Sequence, residues 1–146
     1  SQLENDLTSP SIATLIDILS ALGTNLKEFF SDDEQEERVC FGKNDFIEKV
    51  TDGYTLNWLV PNAQKNAMEP VHMVLNAGSS TDEDFPHEGE EFGYVLKGEI
   101  TLVLGKRKIR VKKGESFYFT ARVVHKIENR KNEQAVFIWV SSPPSF

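Results

Sequence analysis

From Arg38 to Phe146 the apolar residues recur with a period of two, in runs too short for helices. RVCFG, DFIEKV, YTLNWLV, PVHMVLNAG, EFGYVLKG, EITLVLG, KIRVKKG, SFYFT, HKIEN and QAVFIWVSS make ten such runs. Gly-bearing turns such as LKGE, LGKR and KKGE separate many of them. Short strands at a spacing of about 8–12 residues with these turns predict a mainly β domain, a sandwich or barrel. The run AVFIWV is apolar on both faces, which predicts a strand with the core on one side and a second layer or another subunit on the other.

The first part of the chain follows a different period. In SPSIATLIDILSALG, residues 9–23, Ser9 caps a helix with Pro10 at its first position and Gly23 ends it. Ile12, Leu15, Ile16, Leu19 and Leu22 form its apolar face. Asn25 and Glu28 make a capping-box pattern for a last turn, NLKEFF. The acidic run SDDEQEE, residues 31–37, reads as a solvated linker. The expected organisation is a helical segment over 1–30, a linker over 31–37 and a β domain over 38–146.

Net charge is −7, but nine acidic residues against Lys27 alone lie in 1–37. Such a segment repels phosphate and is a poor nucleic-acid surface by itself. No apolar run is long enough for a membrane span, and the N-terminus lacks the basic-then-apolar pattern of a signal peptide, so the reading is cytoplasmic. The single cysteine, Cys40, has no internal disulfide partner and is expected to be a buried small hydrophobe.

The chemistry concentrates in DFPHEGEEFGYVLKGEI, residues 84–100. Strand alternation puts Phe85 and His87 on one side, with Glu91 on the inner face of the next strand. Imidazole and carboxylate suit a divalent metal such as Zn, Fe, Mn or Ni, and His125 supplies a third ligand. A metal site, a metal-free ligand pocket and a solvated loop all fit the residues at this point. Asp82, Glu83, Asp84, Glu88, Glu90 and Glu91 carry negative charge nearby, and any that face inward favour a cationic or amine ligand. Arg122, three residues before His125, is a candidate for anchoring a carboxylate or pairing with these acids. His72 falls on the face opposite Val71, Met73 and Leu75. Lys108, Arg110 and Lys112 alternate with Ile109 and Val111 in a stripe that a solvated or edge strand explains. That stripe lacks the interleaved aromatics needed for base stacking.

HEGEEFGYVLKGEITLVLGKRKIRVKKGESFYFTARVVHKIENRKNEQAVFIWVSSPPSF resembles a cupin, a double-stranded β-helix or jelly-roll barrel, with both family motifs in order. His87, Glu91 and Gly98 match the first motif, and Phe85 stands where its first His would be. Gly114, His125 and Asn129 match the second, in which Thr120 and Arg122 replace the usual Pro and Gly. SQLENDLTSPSIATLIDILSALGTNLKEFF resembles the C-terminal half of a Cro/repressor-type helix-turn-helix domain of the xenobiotic-response-element class. Ser1 and Gln2 then fall at the end of its recognition helix, as DNA-binding residues of an N-terminally incomplete domain.

Together the two parts resemble transcriptional regulators with a cupin sensor domain. The resemblance implies a non-enzymatic homodimer that binds double-stranded operator DNA through the mostly missing helices. It also implies a small-molecule effector in the barrel, held by His87, Glu91, Arg122 and His125. The departures at Phe85, Thr120 and Arg122 leave a three-ligand metal set of His87, Glu91 and His125, or a metal-free pocket built from the same side chains. The competing expectation is a metal-dependent cupin enzyme, an isomerase or dioxygenase. A third is a dimerisation or storage module without a ligand.

Overall fold

The computed structural model describes residues 12–21 and 37–146. It separates into two compact units with the break after Cys40. Within the first unit a helix, α1 (Ile12–Ala21), covers the middle of the segment expected to be helical. The expected caps at Ser9, Pro10 and Gly23, the NLKEFF turn, and Ser1 and Gln2 lie outside the described residues.

The second unit contains nine strands: β1 (Ile47–Val50), β2 (Tyr54–Trp58), β3 (Glu69–Leu75), β4 (Glu90–Lys97), β5 (Glu99–Leu104), β6 (Arg107–Lys112), β7 (Ser116–Thr120), β8 (His125–Glu128) and β9 (Ala135–Ser142). A six-stranded sheet has the order β1-β2-β3-β9-β4-β7, and a three-stranded sheet the order β6-β5-β8. Every pairing is antiparallel. The tenth expected strand, RVCFG, does not form: residues 38–42 have no ladder partner, and Val39 is 85% exposed. Cys40 shares that position and is exposed, so the expectation of a buried cysteine is corrected as well. Alternation gave the segment a strand-like pattern but no sheet edge to pair with.

The inward residues alternate as the period-two pattern requires. Val71, Met73 and Leu75 of β3, Val95 of β4 and Phe137 and Trp139 of β9 meet Ile100 and Leu102 of β5, Val111 of β6 and Ile127 of β8 in one core. On β9 the alternate residues Val136, Ile138 and Val140 are half-buried on the outer face, beside His72 and Val74 of β3. β6 is an edge strand, which accounts for its basic stripe, and Arg110 is held by Glu99 at 2.9 Å. Gly98, Gly105 and Gly114 each take positive φ, so the turns read as LKGE, LGKR and KKGE are built on the one residue that adopts this backbone without strain.

Two features carry the chain into the site. Between β3 and β4, residues 79–87 run beside β8: Thr81 donates to the Ile127 carbonyl, and Asp84 and His125 exchange both backbone bonds, at 2.8 and 3.0 Å. That exchange puts the side chains of Asp84 and His125 on the same side. The His87 amide then bonds the Ala121 carbonyl just after β7, which brings His87 over the barrel end where Glu91 stands second in β4.

Candidate metal centre and adjoining cavity

His87, Glu91 and His125 come together. One ligand atom from each lies within 4.8 Å of the others. Glu91 is 1% exposed although it is a carboxylate. Its Oε1 accepts a hydrogen bond from Trp139 Nε1 at 2.7 Å, and its Oε2 faces His125 Nε2 at 2.8 Å and His87 Nε2 at 3.1 Å. Asp84 Oδ2 stands 3.5 Å from His125 Nε2.

The imidazole tautomers decide what this cluster can hold. Nδ1 of His87 lies 3.0 Å from the Glu88 carbonyl, and Nδ1 of His125 lies 3.0 Å from the Val123 carbonyl. A carbonyl only accepts, so each Nδ1 carries the proton, and in the neutral ring each Nε2 is left with a lone pair aimed at the Glu91 carboxylate. Lone pair against carboxylate is repulsive. The arrangement is favourable if a proton, on a ring or on the carboxyl, or a metal cation sits between them. His125 Nε2 is buried and, despite its short distance to Glu91, has no acceptor aligned with it. A divalent metal satisfies that nitrogen, and the backbone bonds on Nδ1 are the outer contacts that orient a ligating histidine. The residues therefore fit a metal, with two imidazoles and one carboxylate as ligands.

The charge around these rings is negative. Burial pushes the His125 imidazole down, but Glu91, the Val123 carbonyl and Asp84 more than offset it and hold it above the ordinary histidine value. Burial raises the Asp84 carboxyl and the Glu91 charge raises it further, against the opposing pull of His125 and His87. Negative charge is thus concentrated at one end of the barrel.

Beside the cluster lies a cavity of about 150 Å³. Tyr54, Trp58, Trp139 and Phe146 supply aromatic walls, and Asp82 and Asp84 supply carboxylates. Tyr54 donates its hydroxyl to Asp82 at 3.1 Å, and burial followed by the Asp82 charge raises its phenol above the ordinary value. His87, Glu91 and His125 do not line this cavity themselves. Asp84 and Trp139 belong to its wall and also touch the cluster, so the two are contiguous.

The other expected site residues are placed differently. Arg122 is exposed on the turn after β7, its amide bonded to the Thr120 carbonyl, and it does not join the cluster. Phe85 is 77% exposed, so it does not share a side with His87. Strict alternation fails because residues 85–87 are not in a ladder, and His87 is set by its amide bond to the Ala121 carbonyl. Asp84 takes the inward position instead. Asp84, expected only as one of six acids that could face inward, is the one that reaches His125, and Trp139 is a cluster contact the sequence reading missed. A Phe85→His variant, which restores the motif histidine, is expected to leave metal content and affinity unchanged, as measured by elemental analysis and competition with a chelator. A fourth ligand gained there would overturn the assigned orientation.

With this geometry in place the class is clear: the chain carries a cupin domain, and residues 71–141 match the cupin domain family. It is 32% identical over 149 residues to the HTH-type transcriptional regulator PuuR of Escherichia coli (strain K12), an alignment spanning all of this chain and 80% of that protein. The chain belongs to the family of PuuR. It is also similar to an HTH_3 family transcriptional regulator from Vibrio cholerae, with 26% identity, a TM-score of 0.56 and coverage of 99% of this chain and 78% of that one. The structure of FeII HppE shares the fold, with a TM-score of 0.63 at 20% identity, over 92% of this chain and 77% of that one. Among the described residues no helix is long and apolar enough to cross a membrane.

Proposed function

We propose that this chain is the effector-binding and dimerising part of a cytoplasmic transcription regulator, and that the effector is a small cation held in the cavity beside His87, Glu91 and His125. The observation that carries this reading is the cavity itself, walled by aromatic rings and by two carboxylates, Asp82 and Asp84, against the single cation Lys49, in a chain that aligns from end to end with a regulator. Aromatic faces and carboxylates together favour a cation over an anion or a neutral sugar. Three of the six acids in residues 82–91 bear on this region: Asp82 and Asp84 line the cavity, and Glu91 is buried beside it.

A divalent metal in the cluster would supply a fixed positive charge and a Lewis acid; His87, Glu91 and His125 would hold it. The chain's own residues do the rest. Trp139 fixes the Glu91 carboxylate, the Glu88 and Val123 carbonyls fix the two rings, and Asp84 presents its carboxylate to both the cluster and the cavity. Effector binding acts on DNA through a dimer, by favouring one arrangement of two recognition helices over another. The size of that shift is limited by the effector's differential affinity for the two states. The partner copy is expected against the outer face of the six-stranded sheet. Phe92, Tyr94, Leu96 and Tyr118 are each at least 41% exposed there, beside Val136, Ile138 and Val140, with Glu90 bonded to the Tyr118 hydroxyl, and a largely apolar face of this kind suits a second copy of itself.

The test measures binding of the protein, with a complete helix-turn-helix domain, to DNA upstream of its own gene, with primary alkylammonium ions of increasing length as probes and sedimentation to follow the dimer. Ligand-sensitive DNA binding, weakened by Asp84→Asn, is the expected result. DNA binding indifferent to every probe, or a monomer at micromolar concentration, counts against the proposal. The tautomer-locked histidines favour one second reading, a metal-dependent enzyme. That reading requires turnover that disappears with His125→Ala.

A further inference from the structure

Among the described residues, the most completely buried carboxylate has no part in the cluster. Glu69 opens β3 at 0% exposure, and all three of its hydrogen bonds serve one purpose. Oε1 accepts the backbone N–H groups of Ser145 at 2.9 Å and of Phe146 at 2.7 Å, and Oε2 accepts Trp58 Nε1 at 3.0 Å. A buried charge is costly unless it is fully bonded, so a glutamate here must be compensated by what it holds. What it holds is the C-terminal segment.

Further contacts seat the same segment. Ser141, fully buried opposite Glu69 in the β3–β9 ladder, donates its hydroxyl to the Pro143 carbonyl at 2.8 Å and meets the Ser145 hydroxyl at 2.6 Å. Ser142 donates to the Ala67 carbonyl at 2.7 Å. The Phe146 ring then stands edge-on to Trp139 with centroids 4.8 Å apart, and both rings face the cavity. Trp139 in turn donates to Glu91. A continuous line of contacts therefore runs from the tail through one indole to the carboxylate of the candidate metal centre.

We propose that residues 143–146 form a wall of the effector cavity and that Glu69 is the positioning residue that sets it there. The inference rests on the reading of this cavity as the effector site, but its geometry can be tested without any effector. Phe146 lines the cavity together with Lys49, Tyr54 and Asp82, so its position bears on the length and bulk of what can enter. Glu69→Gln retains the size of the side chain but offers one acceptor oxygen to three N–H donors. Either the tail or Trp58 then faces an amide N–H and is released.

The chain has two tryptophans, and both line this cavity, so intrinsic fluorescence reports on it specifically. The experiment measures collisional quenching by acrylamide, together with amide hydrogen exchange of the peptide ending at Phe146, in the wild type, Glu69→Gln and Phe146→Ala. The quenching constant is expected to rise about twofold or more in both variants as Trp139 is uncovered. Exchange at Ser145 and Phe146 is expected to accelerate in Glu69→Gln but not in Phe146→Ala, whose backbone bonds to Glu69 remain. Unchanged quenching in Phe146→Ala overturns the proposal. So does a Glu69→Gln protein that unfolds more easily yet shows wild-type quenching and exchange, because Glu69 is then only a structural group. If Glu69→Gln does not fold, Phe146→Ala alone decides. Raised quenching in a protein that binds no alkylammonium ion upholds the wall and overturns the effector reading instead.

Discussion

Replacing Glu91 with alanine is expected to lower unfolding stability by about 3–5 kcal/mol, the range for removing one partner of a buried charged network. The residue is 1% exposed and three nitrogen atoms converge on it: Trp139 Nε1, His125 Nε2 and His87 Nε2. Alanine leaves the indole N–H without an acceptor in the core, where an unsatisfied donor costs about 1–3 kcal/mol by itself, and adds a cavity beside Phe119 and His125. Glu91→Gln separates charge from shape. Its amide oxygen can still accept from Trp139, so the stability loss should be smaller than for alanine, while metal affinity falls by at least about a hundredfold, since even an outer partner of a ligand is worth about 10–100-fold. Urea unfolding of the zinc-loaded protein reads the first effect and zinc competition reads the second. A Glu91→Gln protein that binds zinc like the wild type would remove Glu91 from the ligand set and leave the two histidines without a carboxylate between them.

The parts of this structure that follow from local rules were legible in the sequence. Turns at Gly98, Gly105 and Gly114 need a residue that tolerates positive φ, and the strands between them need alternation; both are properties of short stretches. His87, Glu91 and His125 could be grouped because two motif fragments carry them at fixed distances from those same turns. Asp84 could not be found in that way. Its inward direction is set by a bridge to His125, forty-one residues later in the chain, and the alternation rule applied from His87 selected Phe85. Trp139 looked like one more core aromatic, because nothing in AVFIWV reveals that its indole N–H ends on a carboxylate from β4. Glu69 was hidden for the same reason: its partners, Ser145 and Phe146, lie at the other end of the barrel's sequence. RVCFG shows the converse error, since alternation without a neighbouring edge makes no strand.

Gly93→Ala is expected to be the most damaging single-methyl addition on β4. Gly93 is not at positive φ, so the backbone tolerates alanine there and the reason for glycine lies in packing. It pairs with Phe117 of β7 on one side and Trp139 of β9 on the other, and a Cβ at this position would fall inside the Phe117 ring. That ring is stacked on Phe119 with centroids 6.0 Å apart, and Phe119 meets His125 edge-on at 5.0 Å. Pushing Phe117 aside therefore costs overpacking energy, about 1–3 kcal/mol, and also shifts the ring that backs His125 of the candidate metal centre. The two consequences separate in a double-mutant cycle. Phe117→Leu alone loses buried area and is destabilised, but in the Gly93→Ala background it makes room for the methyl, so the pair is expected to be more stable than the sum of the single changes by about 1 kcal/mol or more. Denaturant unfolding of the four proteins measures that coupling. Strict additivity would mean that the methyl is accommodated by movement of β4 itself, and in that case Glu91, two residues away on the same face, would shift with it and zinc affinity would fall in both Gly93→Ala proteins alike.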